Sequence, residues 1–441
     1  MRGLLGTERI ASYRGLLVNR DYRRWFWSSL GSSFGDWVGL FALQVLVISL
    51  AEPGSRLALF GLGGIMLARL LPSVVFGPFA GVLSDRYDRK RLMIFADVSR
   101  AALFAGIAFS RDLVVLFALT FIIECISLLY LAAKNAALPR IVEREQLTEA
   151  NQLTLLVTYG PLPFGAGAAV MLQWLAGLLD RMDVVQLEAT TAALLFNALT
   201  FLVAGALILR LTRIAGSRAD QERSGSAREE LREGLRFIRD HSYVRALIVG
   251  VVGVFFGGGV VVALGPEFVR SELGRPEGDW YGLMTTVGAG LLLGIVGVPV
   301  ATSRLSKARL LPVSLVIAAG LALLVATLPT WPFALVAGFA LGVISGLALV
   351  TGFTLLHEST DDTTRGKTFA VFYTATRVAM FAALGLAPML AGAIGRWAVG
   401  WGEAELVVSG TRVAIAVGGL VALACAVAAA RGMLRPRASE G

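Results

Sequence analysis

Twelve separate stretches of mostly apolar residues run through this chain, each long enough to cross a bilayer as a helix. They fall near residues 25–50, 57–83, 91–110, 113–134, 153–178 and 189–211, then 243–268, 280–303, 308–328, 331–355, 367–394 and 409–431. A helix rising ~1.5 Å per residue needs about 20 residues to span a ~30 Å hydrocarbon layer. The runs are continuously apolar, so the period-two alternation of a membrane β-barrel is absent. Composition agrees: 56% of the 441 residues are hydrophobic and 16% are charged, against ~25% charged in an ordinary soluble domain. An all-α membrane protein follows. Two pseudo-symmetric six-helix bundles are expected, over 1–211 and 243–441, joined by a polar linker over 212–242.

The placement of positive charge predicts the orientation. With the N-terminus inside, 30 of the 40 basic residues fall on inner segments, seven on outer ones, and Arg69, Arg100 and Arg377 inside spans. That asymmetry predicts both termini in the cytoplasm. Basic inner loops facing anionic lipid also account for the net charge of +9, so no nucleic-acid partner is needed. The first ~24 residues do not read as a signal peptide, because the span that follows is long, contains Asp36 and lacks a small-residue cleavage site. Only four of the basic residues are Lys, while Ala, Gly and Arg abound, as in a GC-rich bacterial genome. A bacterial cytoplasmic membrane is the expected location. In the linker, Leu231, Leu235 and Ile238 recur at helical spacing with Arg228, Arg232 and Arg239 opposite. That pattern predicts a short amphipathic helix on the inner membrane surface.

The halves read as copies. Gly81-Val82-Leu83-Ser84-Asp85 runs into a basic loop, and about 216 residues later Gly297-Val298-Pro299-Val300-Ala301 runs into Arg304, Lys307 and Arg309. Paired six-helix halves are a transporter architecture, with the substrate path between them near mid-membrane. The segment Gly81-Val82-Leu83-Ser84-Asp85-Arg86-Tyr87-Asp88-Arg89-Lys90-Arg91 resembles the signature of the major facilitator superfamily between its second and third helices. The resemblance implies that Gly81 lets helices approach. It also implies that Asp85, with Arg86, Arg89 and Lys90 beside it, latches the inner side against the eleventh helix. Two departures stand out: Asp88 occupies a position that is usually Gly, and Ala301 stands where the second copy would carry the counterpart of Asp85.

In the fifth span, Gly160-Pro161-Leu162-Pro163-Phe164-Gly165 is similar to the glycine–proline motif of the family's antiporter branch, with Phe164 at one expected glycine. Proline removes an intrahelical hydrogen bond and bends the helix there. Arg69-Leu70-Leu71-Pro72, Asp97-Val98-Ser99-Arg100 and Gly265-Pro266-Glu267-Phe268-Val269-Arg270 resemble one bacterial subgroup, the siderophore exporters and macrolide-efflux-type permeases.

Charges inside a membrane are costly unless paired or wet, so each one is a candidate functional group. Asp36, Arg69, Asp97, Arg100, Glu124 and Arg377 all fall within predicted spans. Asp97 and Arg100 are three residues apart and share a helix face. The family resemblance puts helices one, four, seven and ten around the cavity, so Asp36 and Glu124 are expected on the substrate path. Asp97 and Arg100 are then expected to brace the first half, and Arg377 to contact substrate or brace helix eleven. A carboxylate held away from water can exchange a proton near neutral pH, which makes Asp36 and Glu124 the coupling candidates; permanent ion pairing with Arg69 and Arg100 is the alternative for both. His241 and His357 fall near inner helix ends, and Cys125 and Cys425 fall mid-span as packing residues.

The expected activity is proton-coupled efflux of a small amphipathic or hydrophobic compound by a monomer, in contact with membrane lipids and without a cofactor or metal. A lipid transporter of the same fold (for lysophospholipid or glycolipid) and a non-transporting membrane sensor or assembly partner remain as alternatives. No catalytic triad, metal-ligand spacing or phosphate loop supports an enzyme.

Overall fold

The computed structural model describes residues 15–84, 87–143, 146–183, 188–212, 227–327, 330–360, 362–401 and 404–434. Among them are twelve helical spans long and apolar enough to cross a membrane. The first six consist of α1 (Arg20–Ser49), α2 (Arg56–Ser84), α3 (Arg89–Phe109), α4 (Leu113–Ile141), the broken pair α5 (Leu147–Tyr159) and α6 (Leu162–Arg181), and α7 (Ala189–Leu209). After the linker helix α8 (Ala227–Asp240) come α9 (Ser242–Glu267), α10 (Asp279–Arg304), α11 (Lys307–Val325) and α12 (Trp331–Glu358). The eleventh span is α13 (Asp362–Phe381) continued by α14 (Ala387–Ile394), and the twelfth is α15 (Gly410–Leu434). Agreement with the apolar runs is within a few residues almost everywhere, because hydrocarbon forces every backbone polar group into intrahelical bonds.

The fifth span is interrupted where two prolines in three residues remove two backbone donors. In the eleventh span a π-helical turn, Ala382–Leu386, precedes Pro388. The proline ring excludes the carbonyl four residues before it, and the extra residue of a π-turn absorbs the mismatch. Between α14 and α15 the chain forms an antiparallel hairpin, β1 (Arg396–Trp401) with β2 (Ala404–Ser409), in the register Arg396↔Ser409 to Trp401↔Ala404. The apolar runs predict no hairpin there.

The described chain divides into two compact units. One comprises the parts up to Leu46 and from Ala68 to the linker; the other comprises Val47–Leu67 and everything from the linker onward. In the first unit, α3 packs on α7 and α4. Tyr22, Trp25, Met93, Tyr130 and Ile208 are fully or almost fully buried there in one apolar cluster. In the second, α9 packs on α15 and α10 on α12, and a core that includes Leu247, Leu311, Leu315, Leu356 and Phe372 joins α9, α11, α12 and α13. Helices α10 and α12 touch backbone to backbone: a Cβ added to Gly294 would lie 2.1 Å from the Val343 carbonyl oxygen, and one on Gly346 2.4 Å from that of Leu291. Small residues of this kind let membrane helices approach closely enough for dispersion to hold them.

The linker helix α8 forms at the predicted place, but its packing differs from a helix simply resting on lipid. Ile238 is buried in the second unit's core beside Phe237, while Leu235 is half exposed. Leu231 lies in α8 at a position whose side chain is outside the described set.

The segment Val47–Leu67 is fastened within the second unit by a buried ion pair. Glu267 is fully buried at the end of α9, and Arg270 lies in the π-helical turn Phe268–Glu272 that follows. Their side chains meet at 2.9 Å. Arg270 donates to the carbonyls of Ile48, Ala51 (2.9 Å) and Glu52 (3.2 Å), and Glu267 accepts from the Gly54 backbone N–H at 2.5 Å. The carbonyls at a helix end have no intrahelical partner, so Arg270 caps the end of α1 with a charge of the sign that suits it.

Candidate functional site: charged groups within the first unit

Asp36 (α1), Arg69 (α2), Asp97 and Arg100 (α3), and Glu124 and Lys134 (α4) bring three negative and three positive side chains into the first unit. Two of the carboxylates are neutralised by direct partners. Arg69 Nε lies 3.0 Å from Glu124, both side chains about four-fifths buried. Asp97 is hydrogen-bonded to Arg100, with the two side chains 0% and 2% exposed. The Arg100 guanidinium also sits 4.2 Å from the ring centroids of both Tyr130 and Phe201. Stacking between aromatic faces compensates a cation that has left water.

Asp36 is different. It makes no hydrogen bond or ion pair with any described residue, and by solvent exposure it is partly buried. The cations acting on it through space are Arg100, Arg69 and Lys134. Arg377, in α13 of the second unit, is exposed and likewise has no hydrogen-bond or ion-pair partner among the described residues.

The loop motif is described in part. Asp85 and Arg86 lie outside the described residues, and Gly81 is in α2 at a position whose side chain is not described. Asp88 supplies the N-cap of α3, its carboxylate accepting from the Arg91 N–H at 2.8 Å. That role gives Asp88 a local reason to stand in place of glycine, since Asp ranks among the best N-caps. Arg89 donates to the Ala136 carbonyl at 3.3 Å, and Lys90 to that of Leu211 at 2.7 Å. Both side chains therefore bind the loop to helix ends of the first unit.

In the fifth span, Gly160 and Pro161 form the break between α5 and α6. Gly165 lies against α1, where an added Cβ would come within 2.8 Å of the Trp37 Cβ. The Trp37 indole N–H donates to the Thr158 carbonyl at 3.0 Å. Trp37 is thus docked into the break. Phe164 is exposed. A leucine at position 165 is expected to force α1 and α6 apart and to lower the yield of monodisperse protein in fluorescence-detected size exclusion several-fold. Alanine there should be milder.

Residues 26–384 match the Major Facilitator Superfamily family pattern.

The chain belongs to the major facilitator superfamily.

An uncharacterized MFS-type transporter of Mycobacterium tuberculosis is 28% identical over 368 residues, 80% of either chain. A putative bacilysin exporter of Bacillus subtilis is 27% identical over 234 residues, 52% of this chain and 55% of that one. Across such relatives the chain spans between 55% and 80% of their length. Among solved structures, the nucleoside transporter NupG superposes with a TM-score of 0.68 over 95% of this chain and all of that one, at 13% identity. That similarity concerns the fold. As a major facilitator protein, the chain is a multi-pass membrane transporter and not an enzyme.

Sequence reasoning missed two charged groups of this major facilitator chain. Lys134 stands at the last position of the apolar run 113–134 and so counts among the inner-segment charges, yet α4 continues to Ile141 and leaves Lys134 5% exposed, its ammonium 5.4 Å from the Trp25 ring centroid. The apolar run ends near 134 while the helix does not, and Ala132, Ala133, Ala136 and Ala137 were the available signal for its continuation. Arg270 falls just past the apolar run 243–268 and so counts among the outer-segment charges, yet it is 8% exposed against Glu267. Their i, i+3 spacing was the signal that could have paired them.

Proposed function

We propose that this chain is a secondary active exporter of a small amphipathic compound, driven by protons that enter as the compound leaves. The observation that carries the reading is Asp36, a carboxylate within a membrane span that has no hydrogen-bond or ion-pair partner among the described residues, while Glu124 and Asp97 each hold an arginine. An unpaired intramembrane carboxylate is costly as an anion and comparatively cheap when protonated. It is therefore the group best suited to take a proton in one state of the transporter and give it up in the other. Its position on the first helix is where the family resemblance expects the substrate path.

In this cycle, Asp36 is protonated from outside as substrate departs. It then releases the proton inward, and the anion left behind is available to a cationic or neutral substrate from the cytoplasm. Glu124 with Arg69, and Asp97 with Arg100, keep the surrounding charges balanced. Arg377, in α13, is assigned to contact substrate or to brace that helix. Asp85 with Arg86, Arg89 and Lys90 closes the inner side, and both termini lie in the cytoplasm of a bacterial cell. The relative with a putative exporter function supports the outward direction.

Asp36→Asn mimics the protonated form permanently. It is expected to abolish acceleration by an imposed pH gradient in proteoliposomes while leaving downhill exchange of the same compound measurable. Glu124→Gln is expected to retain gradient dependence at reduced rate, because its partner Arg69 is unbalanced rather than the coupling group removed. Gradient-driven transport that survives Asp36→Asn would refute the assignment.

A further inference from the structure

The second copy of the loop motif has lost its carboxylate, and in its place there is a groove. Leu293, Gly297, Val300 and Ala301 of α10 and Val343 and Leu347 of α12 line a space of about 440 Å3. It begins beside the backbone contact at Gly294 and widens along α10, since a Cβ added to Gly297 would meet nothing within 4 Å. Leu293 and Val300 are 54% and 66% exposed, so the groove is open along one side and presents an almost wholly apolar wall.

Arg304 closes its end. The side chain is exposed, contributes to the lining, and has no hydrogen-bond or ion-pair partner among the described residues. Among its neighbours, Lys307 is paired with Glu358 at 2.5 Å, and the Thr302 and Ser303 hydroxyls donate to α10 carbonyls. The groove is therefore an apolar trough with one unused guanidinium at its mouth.

Its length is informative. From Leu293 to Arg304 the helix rises roughly 16 Å at ~1.5 Å per residue. That is about half of a ~30 Å hydrocarbon layer, the depth occupied by one leaflet. We propose that this groove is a binding site for an anionic phospholipid, with one acyl chain lying along α10 and α12 and the phosphate on Arg304. Guanidinium pairs with phosphate through parallel hydrogen bonds. A basic side chain at a helix end beside an interhelical pocket is the arrangement that retains such headgroups. Ala301 suits this occupant: an Asp there, as at Asp85 in the first copy, would place a carboxylate in the path of the chain and beside the phosphate. The site is independent of the proton-coupling reading, which uses no residue of the groove.

The test is native mass spectrometry of the full-length protein released from nanodiscs containing equal amounts of phosphatidylglycerol and phosphatidylcholine. The wild type is expected to retain phosphatidylglycerol preferentially. Arg304→Gln should lower that preference by about fivefold, the worth of one basic side chain near an anionic surface. Gly297→Phe fills the trough and should reduce bound lipid of both kinds; Val300→Trp, on the open rim, gives the same reading if Gly297→Phe does not fold. Preference unchanged in Arg304→Gln, or lipid retention unchanged in the filled variant, overturns the site. Displacement of the bound lipid by a transported compound added in competition also overturns it, by making the groove part of the substrate path. Asp36→Asn should leave lipid retention at the wild-type level, so failure here and failure of the coupling assignment are separable.

Discussion

Arg100→Met should destabilise the first unit by about 3–5 kcal/mol, the usual penalty for stripping one partner from a buried ion pair. The variant leaves Asp97 fully buried with no counter-charge, and it removes the guanidinium between Tyr130 and Phe201. Thermal unfolding in detergent, followed by tryptophan fluorescence, reads the loss directly. Asp97→Leu combined with Arg100→Met should recover much of it, because replacing both ions by apolar groups is often close to neutral. If the double variant is no more stable than Arg100→Met, the pair's charge balance is not what the site depends on. Transport separates the two roles: a merely bracing pair predicts gradient-driven transport in the double variant, at a rate limited by folding yield.

The second large effect is expected at Arg270. Its removal leaves Glu267 buried and alone and releases the carbonyls of Ile48, Ala51 and Glu52 together. Arg270→Met is expected to cost a similar ~3–5 kcal/mol. It should also raise amide hydrogen exchange around residues 47–55 well above that of the neighbouring helices. Arg270→Lys keeps the charge but, with a single ammonium in place of the guanidinium fork, cannot reach three carbonyls and a carboxylate together, so it should restore only part of the protection. Protection at 47–55 that stays at wild-type level in Arg270→Met would show that the capping bonds contribute little.

What the sequence made legible follows from which forces are local. Spans were readable because the bilayer imposes a length and a polarity on each one, so α3, α7 and α10 lie within two residues of their expected ends. The Asp97–Arg100 pair was readable because i, i+3 neighbours on a helix must meet. Lys134 was misplaced because hydropathy marks where apolar character stops and not where hydrogen bonding stops. The Arg69–Glu124 contact is only one alternative in the sequence, since two spans must be packed before either side chain has a partner. Arg270 and the Ile48 carbonyl are 222 positions apart, and no periodicity connects them. The hairpin after α14 was overlooked because its strands are six residues each and lie between two apolar spans.

The allocation of Val47–Leu67 to the second unit bears on how such a gene can be cut. A chimaera joined at the linker would inherit Arg270 from one parent and the carbonyls it caps from the other. Recombination that respects folding would need two further crossovers, so that the first turn-round of the chain travels with the back half of the protein.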